Sequence, residues 1–194
     1  EAKKLKMPAL ALTDHGAMYG LIEFYQECRK QDIKPILGIE AYLTDGRMTD
    51  QDRTIKPYHI ILLAENLTGY NNLLRLTTEA HLAGFYYKPR FDWETLKKYS
   101  ASLIALTSCL NGPLSRPILA GDTALLNKNI EKLIDIFSKK NLFLEVQARP
   151  SLPQQSKVNA GLAKIAKQHE LPLVATNDTH YISAQDPQAH DTLI

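Results

Sequence analysis

Imidazole, thiol and carboxylate side chains fall at the ends of short apolar runs in this sequence. Asp14 and His15 follow the run at 9–13, Glu40 follows 36–39, Cys109 follows Thr107 and Ser108, and Asp178 and His180 follow 173–176. In parallel α/β folds, ligands gather at the carboxyl ends of strands, so polar residues at several such ends point to one shared pocket. On an extended segment, a carboxylate and an imidazole two residues apart face the same way, which predicts that Asp178 and His180 grip one ion or two adjacent ones. Nitrogen, oxygen and sulfur donors together favour zinc, manganese or iron over magnesium or calcium. A cluster of that kind lowers the pKa of bound water toward about 7 and presents hydroxide to a phosphorus centre while a second ion steadies the leaving oxygen. The reaction class implied is phosphoester hydrolysis.

Taken singly, each residue has a plainer reading. Asp14 and Asp178 would serve as helix caps, Cys109 as a small buried hydrophobe, and Glu40 as the partner of a surface lysine. Convergence favours the site, because so many independent caps at one end of four strands form an improbable set.

The elements that must deliver these residues are legible in the hydropathy. Strand-sized apolar runs occur at 9–13, 35–43, 59–64, 103–107, 142–147 and 173–176. Between them lie amphipathic stretches. Leu126, Ile130, Leu133, Ile134 and Phe137 make one helical stripe, and Val158, Leu162, Ile165 and Ala166 make another; helices are also expected at 17–30 and 68–83. Alternating strand and helix predicts an α/β fold with a mainly parallel sheet, and near-continuous apolar runs such as Ile60-Ile61-Leu62-Leu63-Ala64 predict burial on both faces. Residues 44–57 are too polar for a crossover helix, so an antiparallel return is expected there, bringing His59 beside Glu40.

Composition sets the outer bounds. With 194 residues, of which 44% are hydrophobic and 23% charged, the chain suits one folded domain, and a net charge of +2 leaves any nucleic-acid contact to a local patch. Two cysteines, Cys28 and Cys109, are too few for a disulfide scaffold, and neither a signal peptide nor a long apolar span is visible, which makes a reducing cytoplasm the default and a membrane partner unexpected. The opening residues 1–8 read as the end of a helix stopped by Pro8, so a preceding piece is expected to be missing. Phe85-Tyr86-Tyr87-Lys88-Pro89-Arg90 pairs aromatics with cations; Lys88 and Arg90 are the weaker candidates for a substrate phosphate or a single strand, against a solvated loop over an aromatic lid. His81, His169 and His190 read as surface or structural, Cys28 as packing, and Glu145 as a supporting or structural carboxylate.

Ala11-Leu12-Thr13-Asp14-His15-Gly16, Pro35-Ile36-Leu37-Gly38-Ile39-Glu40-Ala41-Tyr42, Leu62-Leu63-Ala64-Glu65-Asn66 with Gly69-Tyr70, Tyr86-Tyr87-Lys88-Pro89-Arg90, and Ala175-Thr176-Asn177-Asp178-Thr179-His180-Tyr181 together resemble the polymerase and histidinol phosphatase (PHP) domain. More narrowly, they are similar to the amino-terminal PHP domain of bacterial DNA polymerase III alpha subunits. The resemblance implies a distorted seven-stranded β/α barrel with up to three divalent metal ions, zinc or manganese foremost. Its first strand, with a His-x-His pair, has no counterpart in this sequence, so residues 1–194 are expected to be a fragment of the domain with polymerase regions downstream. The carried-over metal ligands are His15, Glu40, His59, Cys109, Asp178 and His180, of which His15, Glu40, Asp178 and His180 are expected to be catalytic. The implied function is DNA replication by a DNA-directed DNA polymerase with a metal-dependent phosphoesterase or 3′–5′ exonuclease site, and the implied partners are DNA and other replicase subunits. The alternatives are a metal-free scaffold for polymerase and proofreading partner, and a free-standing phosphatase acting on a small ester such as histidinol phosphate.

Overall fold

The computed structural model describes residues 1–149, 152–183 and 185–193. Its strands are β1 (Ala9–Leu12), β2 (Lys34–Thr44), β3 (Tyr58–Ala64), β4 (Phe85–Tyr86), β5 (Lys88–Asp92), β6 (Leu103–Leu106), β7 (Leu142–Gln147) and β8 (Leu173–Thr176). Its helices are α1 (Leu21–Lys30), α2 (Leu67–Leu82), α3 (Trp93–Lys98), α4 (Ser115–Ala120), α5 (Thr123–Phe137), α6 (Pro153–His169) and α7 (Pro187–Leu193). All eight strands join one curled, half-barrel sheet in the order β4-β5-β2-β3-β6-β7-β8, with β1 also on β2.

β2 is the strand on which this arrangement depends. Its 11 residues outlast any single partner, so one edge is shared. Residues 34–37 pair in parallel with β1, 42–44 pair in parallel with β5, and an isolated His15–Glu40 bridge fills the interval. Along its other edge, β3 returns antiparallel with Tyr42 opposite His59 and Glu40 opposite Ile61, the expected return across 44–57. β6 is also antiparallel to β3, whereas β6–β7 and β7–β8 are parallel.

Alternation along the strands divides the sheet into two chemistries. Ile39, Ala41, Leu43, Ile60, Leu62, Leu103, Ala105, Leu142 and Leu144 form the convex face, in one core with Leu73, Leu76, Leu96, Ile130, Leu133 and Leu162 of the helices. Truncating a fully buried member of this layer, such as Leu133, costs about 2–5 kcal/mol. The opposite, concave face carries Glu40, Tyr42, His59, Glu145 and Gln147. Helices α2, α3 and α5 are fixed at their starts by side chains: Asn66 accepts from Gly69 N–H, Asp92 from Thr95 N–H and Asp122 from Leu125 N–H.

Six strands coincide with the apolar runs, and β4 and β5 occupy 85–92, where the sequence suggests a phosphate or single-strand contact or a solvated loop but no strand. They form a hairpin with Phe85 opposite Pro89 and Tyr86 opposite Lys88. α3 and α4, six residues each, had no periodic signal long enough to reveal them. Residues 1–7 make the bonds of the expected helix end: Leu5 N–H donates to the Glu1 carbonyl, Lys6 N–H to that of Lys3 and Met7 N–H to that of Ala2, around Lys6, left-handed at φ 55°.

Candidate metal centre

Glu40 is buried on the concave face of β2, and the turn after β1 is fastened to it by backbone bonds. Glu40 N–H donates to the Asp14 carbonyl at 3.0 Å, and Gly16 N–H donates to the Glu40 carbonyl at 2.8 Å. Gly16, at φ +65°, is required here because a Cβ would sit 2.7 Å from Pro89 Cγ. This turn holds His15 Nδ1 3.5 Å from Glu40 Oε1.

From the neighbouring strand, His59 Nδ1 pairs directly with Glu40 Oε1 and lies 3.8 Å from Cys109 Sγ. Cys109 is turned inward by Ser108, a non-glycine residue at φ 61°; such left-handed positions concentrate at functional sites. The donor atoms of Glu40, His59 and Cys109 all lie within 4.8 Å of one another. The Tyr42 ring meets the His59 ring edge-on at 5.2 Å and closes one wall.

Burial opposes charge on both Glu40 and His59, and their mutual contact overrides it. The Glu40 carboxyl is held below its ordinary range by the His59 hydrogen bond and by the charges of His59, His15 and His180. Despite its own desolvation, His59 is lifted to about 9 by hydrogen bonds to Cys109 and Glu40. Without a metal the pair is therefore carboxylate and imidazolium. One carboxylate, one imidazole and one thiol within mutual reach suit a transition metal, which would take the place of the proton between them.

Asp178 and His180 form a separate outer group. The His180 ring lies 5.6 Å from that of His15, which links them to Glu40. The sequence-based pincer required an extended segment, but β8 ends at Thr176 and Asp178 is left-handed at φ 50°. The turn folds His180 Nδ1 back onto the Asp178 carbonyl at 2.9 Å, and Asp178 Oδ2 takes the Arg149 guanidinium at 2.7 Å. Sequence reading missed Arg149; its one signal is a cation two residues beyond the apolar run of β7. It also took His190 as surface or structural, whereas its ring lies 5.5 Å from that of His180. Glu145, read as supporting or structural, is buried on the same concave face. Thr176 and Gln147 donate to its Oε1, Oε2 has no partner among the described residues, and burial pushes its carboxyl upward.

Of the two cations assigned to substrate, Lys88 is exposed, its ammonium 5.5 Å from the Tyr42 ring centroid. Arg90 is 3% exposed, and its guanidinium donates to the carbonyls of Gly84, Met48 and Asp50. Its charge tethers the 44–57 segment, which corrects the substrate-facing expectation for this residue. His81 is structural, its Nε2 2.8 Å from the Gly16 carbonyl, and Cys28 is buried in α1. No helix among the described residues is long and apolar enough to cross a membrane.

Residues 1–149 match the PHP domain family. The whole chain is 43% identical to the DNA polymerase III subunit alpha of Borreliella burgdorferi and 39% identical to that of Aquifex aeolicus, and 96% of it is 40% identical to that of Thermus aquaticus. The chain spans only 17%, 17% and 16% of these relatives' lengths, respectively. A crystal structure from Bifidobacterium adolescentis, of a protein assigned by inference as a metal-dependent phosphoesterase, superposes with a TM-score of 0.52 at 14% identity, covering 93% of this chain and 80% of that one. At that identity the likeness concerns the fold alone.

Proposed function

The chain belongs to the PHP domain family, and from that premise we propose that it carries a metal-dependent phosphoesterase centre within a replicative DNA polymerase subunit, trimming single-stranded 3′ ends. The observation that supports this reading is the gathering of Glu40, His59 and Cys109 within 4.8 Å. Those three would hold one divalent ion, zinc or manganese; His15, which shares Glu40 Oε1 with His59, and His180, whose ring lies 5.6 Å from that of His15, would help to hold a further one, with Asp178 beside them. A bound ion supplies a hydroxide near neutral pH and positive charge at the leaving oxygen. The chain's own groups do the rest: Glu40 keeps its charge next to two imidazoles, Tyr42 fixes the His59 ring, and Lys88 offers an ammonium to the substrate's phosphates at the rim. DNA, polymerase regions of the same protein and other replicase subunits are the partners that go with this assignment.

Metal analysis of the full-length protein tests it. At least one zinc or manganese per chain is expected, with loss of most of it in Glu40→Gln and loss of metal-stimulated shortening of a 3′-labelled oligonucleotide. Unchanged metal content in Glu40→Gln would overturn the proposal. A second reading, a metal-free scaffold, draws support from the Arg149–Asp178 pair, which already supplies Asp178 with a cation at 2.7 Å. It requires the purified protein to hold no metal and His180→Ala to change nothing.

A further inference from the structure

Beside the metal centre stands a group of side chains that holding metal does not explain. The β4–β5 hairpin turns through a single residue, Tyr87, at φ 61°. A bulky aromatic in that region is a backbone outlier, unfavourable on sterics alone. The strain brings it no burial, since Tyr87 is 64% exposed. Packing therefore gives no account of a residue that glycine would replace with less strain.

Its neighbours are cations and further rings. Arg53 reaches out of the 44–57 segment to place its guanidinium 5.3 Å from the Tyr87 centroid, while its Nε donates to the Tyr86 hydroxyl at 3.3 Å. Tyr86 meets Tyr87 edge-on at 4.8 Å. Lys88 is the register partner of Tyr86, so both leave the same face of the hairpin. Over the Tyr42 ring, Lys88 is one aromatic contact from His59. The sequence from solvent inward is thus an open aromatic face, a guanidinium, an ammonium and the metal centre.

An exposed aromatic ring beside two cations that have no ion-pair partner among the described residues matches a ligand that alternates flat bases with single negative charges. A duplex keeps its base faces stacked, and free phosphate has no face to offer. We propose that Tyr87, Arg53 and Lys88 form a seat for single-stranded nucleic acid, with a base on Tyr87 and backbone phosphates at Arg53 and Lys88. Its direction, toward Glu40 and His59, rests on the phosphoesterase reading above; its existence does not.

The test is photochemical and uses the full-length protein in chelator, so that the metal centre takes no part. A single-stranded DNA oligonucleotide substituted with 5-iodouracil is irradiated with the protein, and the attached peptides are mapped. A cross-link on Tyr86 or Tyr87 is expected, about tenfold weaker from a duplex of the same sequence and about tenfold weaker in the double variant Arg53→Glu, Lys88→Glu. Tyr87→Gly should abolish the cross-link while leaving the melting temperature unchanged or higher, which a structural tyrosine would not do. No attachment within 85–88, or equal attachment from duplex, overturns the seat. Because no metal is present, loss of the seat leaves the phosphoesterase reading intact, and a protein that binds no metal still reports on the seat.

Discussion

Glu40 meets three demands at once: its backbone joins β1's turn to β2, its Oε1 pairs with His59, and the same oxygen faces His15. Cys109 is the contrasting case, since its sulfur supports little beyond the contact with His59. Cys109→Ser keeps the size and removes the soft donor. Zinc affinity of the full-length protein, measured against a chromophoric chelator, should fall about 10–100-fold while manganese affinity changes less. Tyr58, the residue preceding His59, carries a pH prediction. Burial and its hydrogen bond to Asp45 push its hydroxyl up to about 12. In the unfolded chain the hydroxyl titrates near 10, so between about 10 and 12 the unfolded state has lost a proton that the folded state keeps. The contribution is complete below pH 10 and disappears as pH rises through 12. Denaturant titrations should therefore show a loss of about 1–3 kcal/mol over that window in the parent protein and a flatter profile in Tyr58→Phe. At this scale, ligand identity was legible because carboxylate, imidazole and thiol follow apolar runs. Orientation was not. The left-handed backbones at Ser108 and Asp178 turn Cys109 toward Glu40 and fold His180 back, and neither serine nor aspartate announces a positive φ.

Elements were legible where a period repeats. β2, β3, α5 and α6 each carry several apolar positions at one spacing, and the antiparallel return to His59 followed from what 44–57 lacks. The β4–β5 hairpin escaped because a two-residue strand has no period and Lys88-Pro89-Arg90 reads as polar. What makes it an element is tertiary. Arg90 donates to three carbonyls, of Gly84, Met48 and Asp50, and so ties the hairpin to the segment that presents Arg53. Removing a buried cation leaves the Met48 and Asp50 carbonyls without their donor, so Arg90→Ala should cost about 3 kcal/mol in denaturant unfolding and speed protease cleavage within 44–57. Lys88→Ala, two residues away but exposed, should stay within about 0.5 kcal/mol of the parent. Equal costs for the two would show that the tether carries no stability.

Over the whole molecule the sheet keeps its hydrophobic layer on the convex side, under the helices, and turns its concave side to chemistry. That division was readable only in part, because Glu40 and Glu145 sit in runs apolar enough to suggest burial on both faces. Net charge is where the molecule as a whole constrains its ligand. At +2 over 194 residues there is no general positive field, so attraction for a polyanion must come from the few cations that touch it. Single-stranded DNA releases about 0.7 counterion per neutralised phosphate, which for Arg53 and Lys88 gives a slope of about −1.4 in log affinity against log salt. Half-saturation of the 85–88 cross-link should then shift about sevenfold between 50 and 200 mM salt. The residual affinity at high salt belongs to stacking on Tyr87, so the Arg53→Glu, Lys88→Glu variant should lose the slope, and Tyr87→Gly should lose the plateau. A slope several times steeper would mean that a broad basic surface does the holding, contrary to a chain whose 23 basic and 21 acidic side chains nearly cancel.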